Sequence, residues 1–243
     1  MKKWTLLDSV RTPEGKTISL HEHDGHYTLR INGLDLMSTR QHSSEEKLAE
    51  LACQKLVLKK KARVLIGGLG LGFTLKKTLS YLRQDAKVVV AEIIPAVIHW
   101  NKNPEINLSG TALADPRVQV VQRDVADLIR DGKSHFDAIL LDVDNGPTSL
   151  TTDRNRRLYQ KTGLMQAFDA LRDGGCLAVW SANADPSFQK LMGQVGFSVQ
   201  LERSRAYKDS GSSHSLFIGR KAEAKQISGK KSGRSSVKKA KKR

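Results

Sequence analysis

Glu92, Asp124, Asp142 and Asp144 each follow closely on an apolar run of strand length. A further such run, Val64-Leu65-Ile66, ends in Gly67-Gly68-Leu69-Gly70-Leu71-Gly72, and a helical pattern begins at Phe73. A buried strand that turns through glycines into a helix reads as a nucleotide cradle. Glycines let the backbone approach a ligand, and the new helix offers free N–H groups. The spacing Gly68-x-Gly70-x-Gly72 is GxGxG, not the GxGxxG of dinucleotide sites, and it points to a nucleoside-sulfonium cofactor and away from NAD. The loop by itself is equally a glycine-rich turn. Glu92, twenty residues past Gly72, stands where a carboxylate accepts both ribose hydroxyls of a nucleoside, or it is an ordinary strand-end acid. Asp124 can take a hydrogen bond from an adenine amino group or cap the helix Val125–Arg130, and both readings stay open. The cluster Asp142-Val143-Asp144-Asn145-Gly146-Pro147 follows the apolar run Phe136–Leu141 directly, beside the reactive carbon of such a ligand, so Asp142 is the strongest catalytic candidate.

Positioning these groups requires a sheet whose strands all end on one side. Strands are expected at 63–67, 87–92, 117–121, 136–142, 174–180, 196–203 and 214–219, with helices at 72–83, 94–101, 124–131, 153–172 and 185–194. This alternation gives an α/β fold with a doubly wound, mostly parallel Rossmann-like sheet. The last two strands lack a helix between them and should form an antiparallel edge hairpin. Asp173-Gly174-Gly175 should stop the long helix before its strand. Ahead of this unit, Thr17–Leu20 and Tyr27–Ile31 alternate apolar and polar residues around the hairpin turn Asp24-Gly25, and Asn32-Gly33 marks a second turn. Ser43-Ser44-Glu45-Glu46 should then cap a helix with Leu48, Leu51, Leu56 and Val57 on its apolar face. The domains expected are 1–42, a small β-domain; 43–220, the Rossmann-like adenosyl-sulfonium-binding domain; and 221–243, a disordered basic tail.

The order GxGxG, Glu92, Asp124 and then Phe136-Asp137-Ala138-Ile139-Leu140-Leu141-Asp142 resembles the spermidine synthase family, polyamine aminopropyltransferases on a class I methyltransferase-like fold. The resemblance covers about residues 15–220. It includes Ile31-Asn32-Gly33 for the family's LDG segment, Leu158-Tyr159 with Leu171-Arg172-Asp173-Gly174-Gly175, and Tyr207-Lys208-Asp209-Ser210-Gly211 for its late loop. It implies that Gly67, Gly68, Gly70 and Gly72 cradle the donor, that Glu92 holds the ribose and Asp124 the adenine, and that Asp142 is the general base. The chemistry asks for such a base, because an alkylammonium with a pKa of about 10.4 must lose a proton before it attacks a sulfonium. The family's second acid falls on Asn145, with Asp144 beside it as the substitute. At Gly70 the family carries an aspartate that contacts the donor's amine. Methyltransferases carry an acid two residues before GxGxG, where this chain has Ile66, so decarboxylated S-adenosylmethionine and S-adenosylmethionine both stay open as donor. The acidic and aromatic polyamine-binding segment reads here as Leu36-Met37-Ser38-Thr39-Arg40-Gln41-His42.

The 243 residues carry a formal charge of +16, and 39% are hydrophobic, enough for a real core despite a mean hydropathy of −0.42. Residues 221–243 hold ten Lys or Arg against Glu223 alone, so +9 of the charge lies in the tail. That composition suits a disordered segment that solubilises the protein or touches nucleic acid non-specifically. No apolar run reaches transmembrane length, the start lacks the apolar core of a signal peptide, and Cys53 and Cys176 form no disulfide framework; together these fit a cytoplasmic protein with no membrane partner. His21, His23 and His26 flank the first turn and read as a solvated hairpin, with no metal expected. Trp180 either lines the pocket or packs at its rim, Cys176 reads as core, and Ser213-His214 has no nucleophile-elbow context. Three functions follow: aminopropyl transfer to a small amine or polyamine; S-adenosylmethionine-dependent methyl transfer to a small molecule or RNA; and noncatalytic nucleoside binding. The resemblance also implies a homodimer.

Overall fold

The computed structural model describes residues 3–12, 15–143, 153–205 and 211–223. Its main sheet alternates strand and helix: β5 (Arg63–Gly67), α2 (Phe73–Tyr81), β6 (Lys87–Ala91), α3 (Pro95–Lys102), β7 (Val118–Val121), α4 (Val125–Asp131), β8 (Phe136–Leu141), α5 (Asp153–Tyr159), α6 (Lys161–Ala170), β9 (Leu171–Ser181), α7 (Pro186–Val195), β10 (Ser198–Arg205) and β11 (Ser213–Arg220). The strand order is β10-β11-β9-β8-β5-β6-β7. β7, β6, β5, β8 and β9 run parallel, while β11 and β10 close one edge as an antiparallel hairpin. Successive residues of the central strands point to opposite faces. Val64, Ile66, Val88, Val90, Ala138 and Leu140 therefore pack into one core with α2 and α3. Leu65, Ile139, Leu141, Leu177 and Val179 pack into a second core with α4, α6 and α7. Both faces are covered, which is why these strands read as continuous apolar runs.

An antiparallel sheet, β1 (Thr5–Arg11), β2 (Thr17–His23), β3 (His26–Ile31) and β4 (Leu34–Ser38), precedes the parallel one, and α1 (Ser43–Cys53) follows it. Ile18, Leu20 and Leu29 of this sheet share the first core with Leu48, Ala49 and Ala52 of α1, so the small sheet sits over the same face as α1.

Four details differ from the expected elements. β1 lies in the expected β-domain but ahead of its marked alternation: its Leu6 and Leu7 are exposed, so it lacks an inward apolar pattern and stands by its ladder to β2. The N-cap of α1 is His42 without a side-chain cap, because Ser44 and Glu45 turn inward and are buried. The helix over 153–172 breaks at Gln160, where extended backbone restarts the chain as α6. Asp173-Gly174-Gly175 lies within β9 and not at a helix end, since Leu171 is already paired with Phe136 and fully buried; the extra residues bulge out before Cys176 meets Ala138.

Candidate active site

β5 and β8 lie side by side at the point where the strand order changes direction, and a crevice opens there beyond their carboxyl ends. Gly67 ends β5. Gly68 has φ +88°, and a Cβ on it would stand 2.3 Å from the Asp142 carbonyl oxygen, so only glycine lets the two strand ends close on each other. Gly72, with φ +82°, precedes the first residue of α2. The Asn101 side chain on α3 braces the loop by donating to the Gly70 carbonyl at 2.8 Å. At Gly70 a Cβ would meet the Met37 sulfur at 2.6 Å, so β4 presents its methionine where any side chain at this loop position would stand.

Glu92 follows β6 and is buried; its Oε2 accepts the Leu69 N–H at 3.0 Å and its Oε1 the Ile94 N–H at 2.8 Å. Burial pushes its carboxyl up, while the amides of Leu69, Ile94, Ile93 and Gly70 draw it back. Asp124 is the N-cap of α4: Oδ1 accepts the Ala126 N–H at 2.8 Å, and Oδ2 accepts from Arg157 at 2.6 Å. It also lines the crevice, so Asp124 is both the helix cap and part of the crevice wall. Asp142, at the end of β8, accepts the Thr74 hydroxyl of α2 at 2.7 Å. Burial holds its carboxyl above the ordinary aspartate range, and the Thr74 hydrogen bond offsets part of that rise.

All three acids open into one cavity of about 490 Å³, walled by Ile31, Leu36 and Met37 of the small sheet and by Ile93, Ile94 and Val97 before and within α3. Such a volume suits a nucleoside-sized ligand. A fourth acid reaches the same cavity, one that sequence reasoning placed only in a helix cap. Glu45 of α1 is buried, and its carboxyl is pushed up first by burial and then by the negative charge of Asp142. The signal for it was present, since Glu45 falls in register with the stripe Leu48, Ala49, Ala52 and Leu56 that faces the core. Ser44 donates to Glu45 Oε2 at 2.5 Å and accepts the Trp180 indole N–H at 3.0 Å. Trp180 thus lines the pocket, at the end of β9. Arg157, the Asp124 partner, had no sequence signal.

Gly68, Gly70, Glu92, Asp124 and Asp142 therefore line one crevice, whereas Gly67 packs against Val125 and Val143 and Gly72 against Ser109, in the same loop but outside the lining. Asp144 and Asn145, like Tyr207–Ser210, lie outside the described residues. The hairpin histidines are half-buried and not solvated: His21 pairs with Ser19 at 3.0 Å, His23 stacks on Trp4 and lies across the ladder from His26, and His26 meets Thr39 at 3.5 Å; among the described residues they form no group of three with other metal-ligating side chains. Burial raises the thiols of Cys53 to about 12 and Cys176 to about 11, which fits the core reading of Cys176 and makes both inert at neutral pH.

The fold matches solved structures. A spermidine synthase in complex with the transition-state analogue AdoDATO superimposes with TM-score 0.69 at 19% identity, over 90% of this chain and 73% of that one. A spermidine synthase from Thermotoga maritima gives 0.71 at 20% identity, over 90% and 74%. A probable spermidine synthase from Corynebacterium glutamicum ATCC 13032 gives 0.58 at 13%, over 90% and 79%. No curated protein matches the chain in sequence. The family model described as the spermine/spermidine synthase domain matches residues 41–192, more than half of the chain and every part of the crevice except the wall supplied by the small sheet. The chain therefore belongs to the spermine/spermidine synthase domain family, a family of transferases in polyamine biosynthesis on a Rossmann-like fold.

Proposed function

We propose that the protein transfers an aminopropyl group from decarboxylated S-adenosylmethionine to a small amine or polyamine, with Asp142 as general base. The observation that carries this reading is the meeting of Gly68, Glu92 and Asp142 in one cavity, with the half-buried Asp142 carboxyl raised toward neutrality. In this reading Glu92 holds the ribose hydroxyls, the glycine loop admits the nucleoside, and Asp124 lies at the adenine end. The acceptor arrives as an ammonium. Asp142 takes its proton, the freed lone pair attacks the carbon next to the sulfonium sulfur, that C–S bond breaks, and a neutral thioether leaves. A carboxyl whose pKa sits closer to the working pH is a better proton acceptor for this step than an ordinary aspartate. The sulfonium already carries its leaving group, so the step calls for no metal.

One observation favours a second reading, methyl transfer from S-adenosylmethionine. Met37 fills the place of the aspartate side chain at Gly70, so a donor's terminal amine meets a thioether there instead of a carboxylate. The acceptor is then a small molecule or an RNA, and the basic tail would supply non-specific contact with nucleic acid. Family membership supports a homodimer.

Calorimetry with S-adenosylmethionine, its decarboxylated form and methylthioadenosine tests the proposal. Tighter binding of the decarboxylated form supports aminopropyl transfer, and tighter binding of the intact form supports the methyl reading. Binding of methylthioadenosine without turnover of either donor would make the protein a nucleoside binder, and binding of none removes both transfer readings. In the same assay Asp142→Asn should keep donor affinity and lose turnover by a hundredfold or more, on the order of what a general base contributes.

A further inference from the structure

A proton taken up by a carboxyl held above its ordinary pKa must leave it before the next turnover. A line of hydrogen bonds leads from Glu45 to the surface. Ser44 Oγ is 2.5 Å from Glu45 Oε2 and 3.2 Å from His214 Nδ1, and His214 Nε2 is 2.7 Å from the hydroxyl of the exposed Ser212. The Trp180 indole N–H, 3.0 Å from Ser44 Oγ, occupies one lone pair of that hydroxyl and keeps Ser44 facing both neighbours. Trp180 also packs edge-on against the His214 ring at 4.6 Å and so fixes the imidazole. Three separate elements, α1, β9 and β11, contribute to this line, which begins at an acid that lines the same crevice as Asp142 and ends at solvent.

We infer that Ser44 and His214 form a proton exit that connects the Glu45–Asp142 pair to the surface at Ser212. This rests on the transfer reading above. The balance is simple. The acceptor's proton is held by the two carboxyls jointly. From Glu45 it passes to Ser44 Oγ as Ser44 gives its own hydrogen to His214 Nδ1, and Nε2–H leaves for water beside Ser212. At the end Glu45 is ionised, Ser44 donates to it, and His214 has exchanged its Nε2 tautomer for the Nδ1 tautomer. No charge accumulates on the way. Burial lowers the His214 pKa, so the ring is neutral at pH 7 and one nitrogen is free to accept. The charged and titratable groups nearby are Glu45 and Glu46 on α1 and Asp142 after β8. On β10, Ser204 pairs with His214, and Glu202 lies on the same face two residues away. Glu46 is engaged by His42 at 2.9 Å and Glu202 by Gln200 at 2.5 Å, which leaves Glu45 as the proton source in the line.

Ser44 and His214 are positioning and relay residues that need not touch substrate, so the test reads proton movement. His214→Gln keeps a polar side chain of similar reach but cannot relay. It should lower kcat about tenfold or more at pH 7, at the lower edge of general acid–base effects, and leave the amine KM and the donor affinity unchanged. His214→Ala should show the same loss, with saturable recovery of kcat on adding imidazole. An unchanged kcat in His214→Gln overturns the exit. So does a loss in His214→Ala that imidazole does not restore and that is matched by a rise in KM, because that pattern marks a structural role. Should the wild-type protein turn over neither donor, the transfer reading has failed, and the line is judged by itself in the free protein. The ¹⁵N shifts of the His214 ring should then step with pH as Glu45 ionises, and the step should vanish in Glu45→Gln. Absence of the step in the wild type overturns the line independently of any activity.

Discussion

A carboxyl placed in a protein interior without a counter-ion answers to burial first, and Glu45 and Asp142 both do. Neither is ion-paired among the described residues, and each relies on a neighbouring hydroxyl, Ser44 or Thr74. Two such acids facing one cavity share a proton near neutrality, because ionising the second places like charges together. This has a consequence for stability. In the unfolded chain Glu45 ionises at the ordinary glutamate value of 4.5, whereas in the folded chain its pKa is raised to about 7. A folded pKa above the unfolded one gives stability that is full below the unfolded value and lost as pH rises through the folded one. Native stability should therefore fall from pH 5 to pH 8. Glu45→Gln cannot ionise and should flatten that fall by about 2 kcal/mol, seen as a smaller difference between urea midpoints at the two pH values. An identical pH dependence in the variant would show that Glu45 is not held up in pKa.

The glycines show how an element's geometry, and not composition, assigns a residue its task. Gly68 lies where β5 leaves the sheet, with φ +88° and the Asp142 backbone in the place of any side chain. Gly68→Ala combines a left-handed backbone with a contact no atom can occupy. It should cost roughly 3 kcal/mol or more and displace Asp142 from the crevice. Gly193, inside α7 and exposed, has nothing within 4 Å of an added Cβ. Gly193→Ala should stabilise the protein by up to about 1 kcal/mol, as helix propensity directs. Chemical denaturation of both variants checks the contrast, and equal effects would contradict it. The sequence shows two glycines among nineteen and no difference in kind between them.

For the whole molecule, the crevice and a cluster of exposed lysines lie at opposite ends of the sheet. The crevice opens at the carboxyl ends of the parallel strands. Exposed Lys59, Lys60, Lys61 and Lys87 lie at their amino ends. The chain leaves the fold at that same edge, where the Lys221 N–H pairs with the Gly175 carbonyl at 2.9 Å. A polyanion held by the tail would therefore meet the pole away from the crevice. Deleting residues 222–243 removes nine of the tail's cations and one acid, and should flatten the dependence of RNA affinity on salt concentration while leaving donor affinity unchanged. A salt slope that survives the deletion would assign the contact to the folded surface instead.

The sequence by itself determined the parallel sheet, the strand ends and the acids that follow them. These are local properties: an apolar run of five or six residues, a turn rich in glycine, and an acid directly after. Gly68, Glu92 and Asp142 were legible for that reason, and so was the family. Tertiary structure alone decided what faces them. Glu45 looked like part of a polar helix start until α1 packed its inner face onto the sheet. Met37 and Gly70 are thirty-three positions apart, and their contact exists only because the small sheet folds over the glycine loop. His214 lacked any catalytic context in its own segment and gained a partner in Ser44, 170 residues away, when β11 paired with β9 beneath α1. Periodicity records which way a side chain points within its own element, whereas its partner across the core depends on the packing of elements distant in the chain.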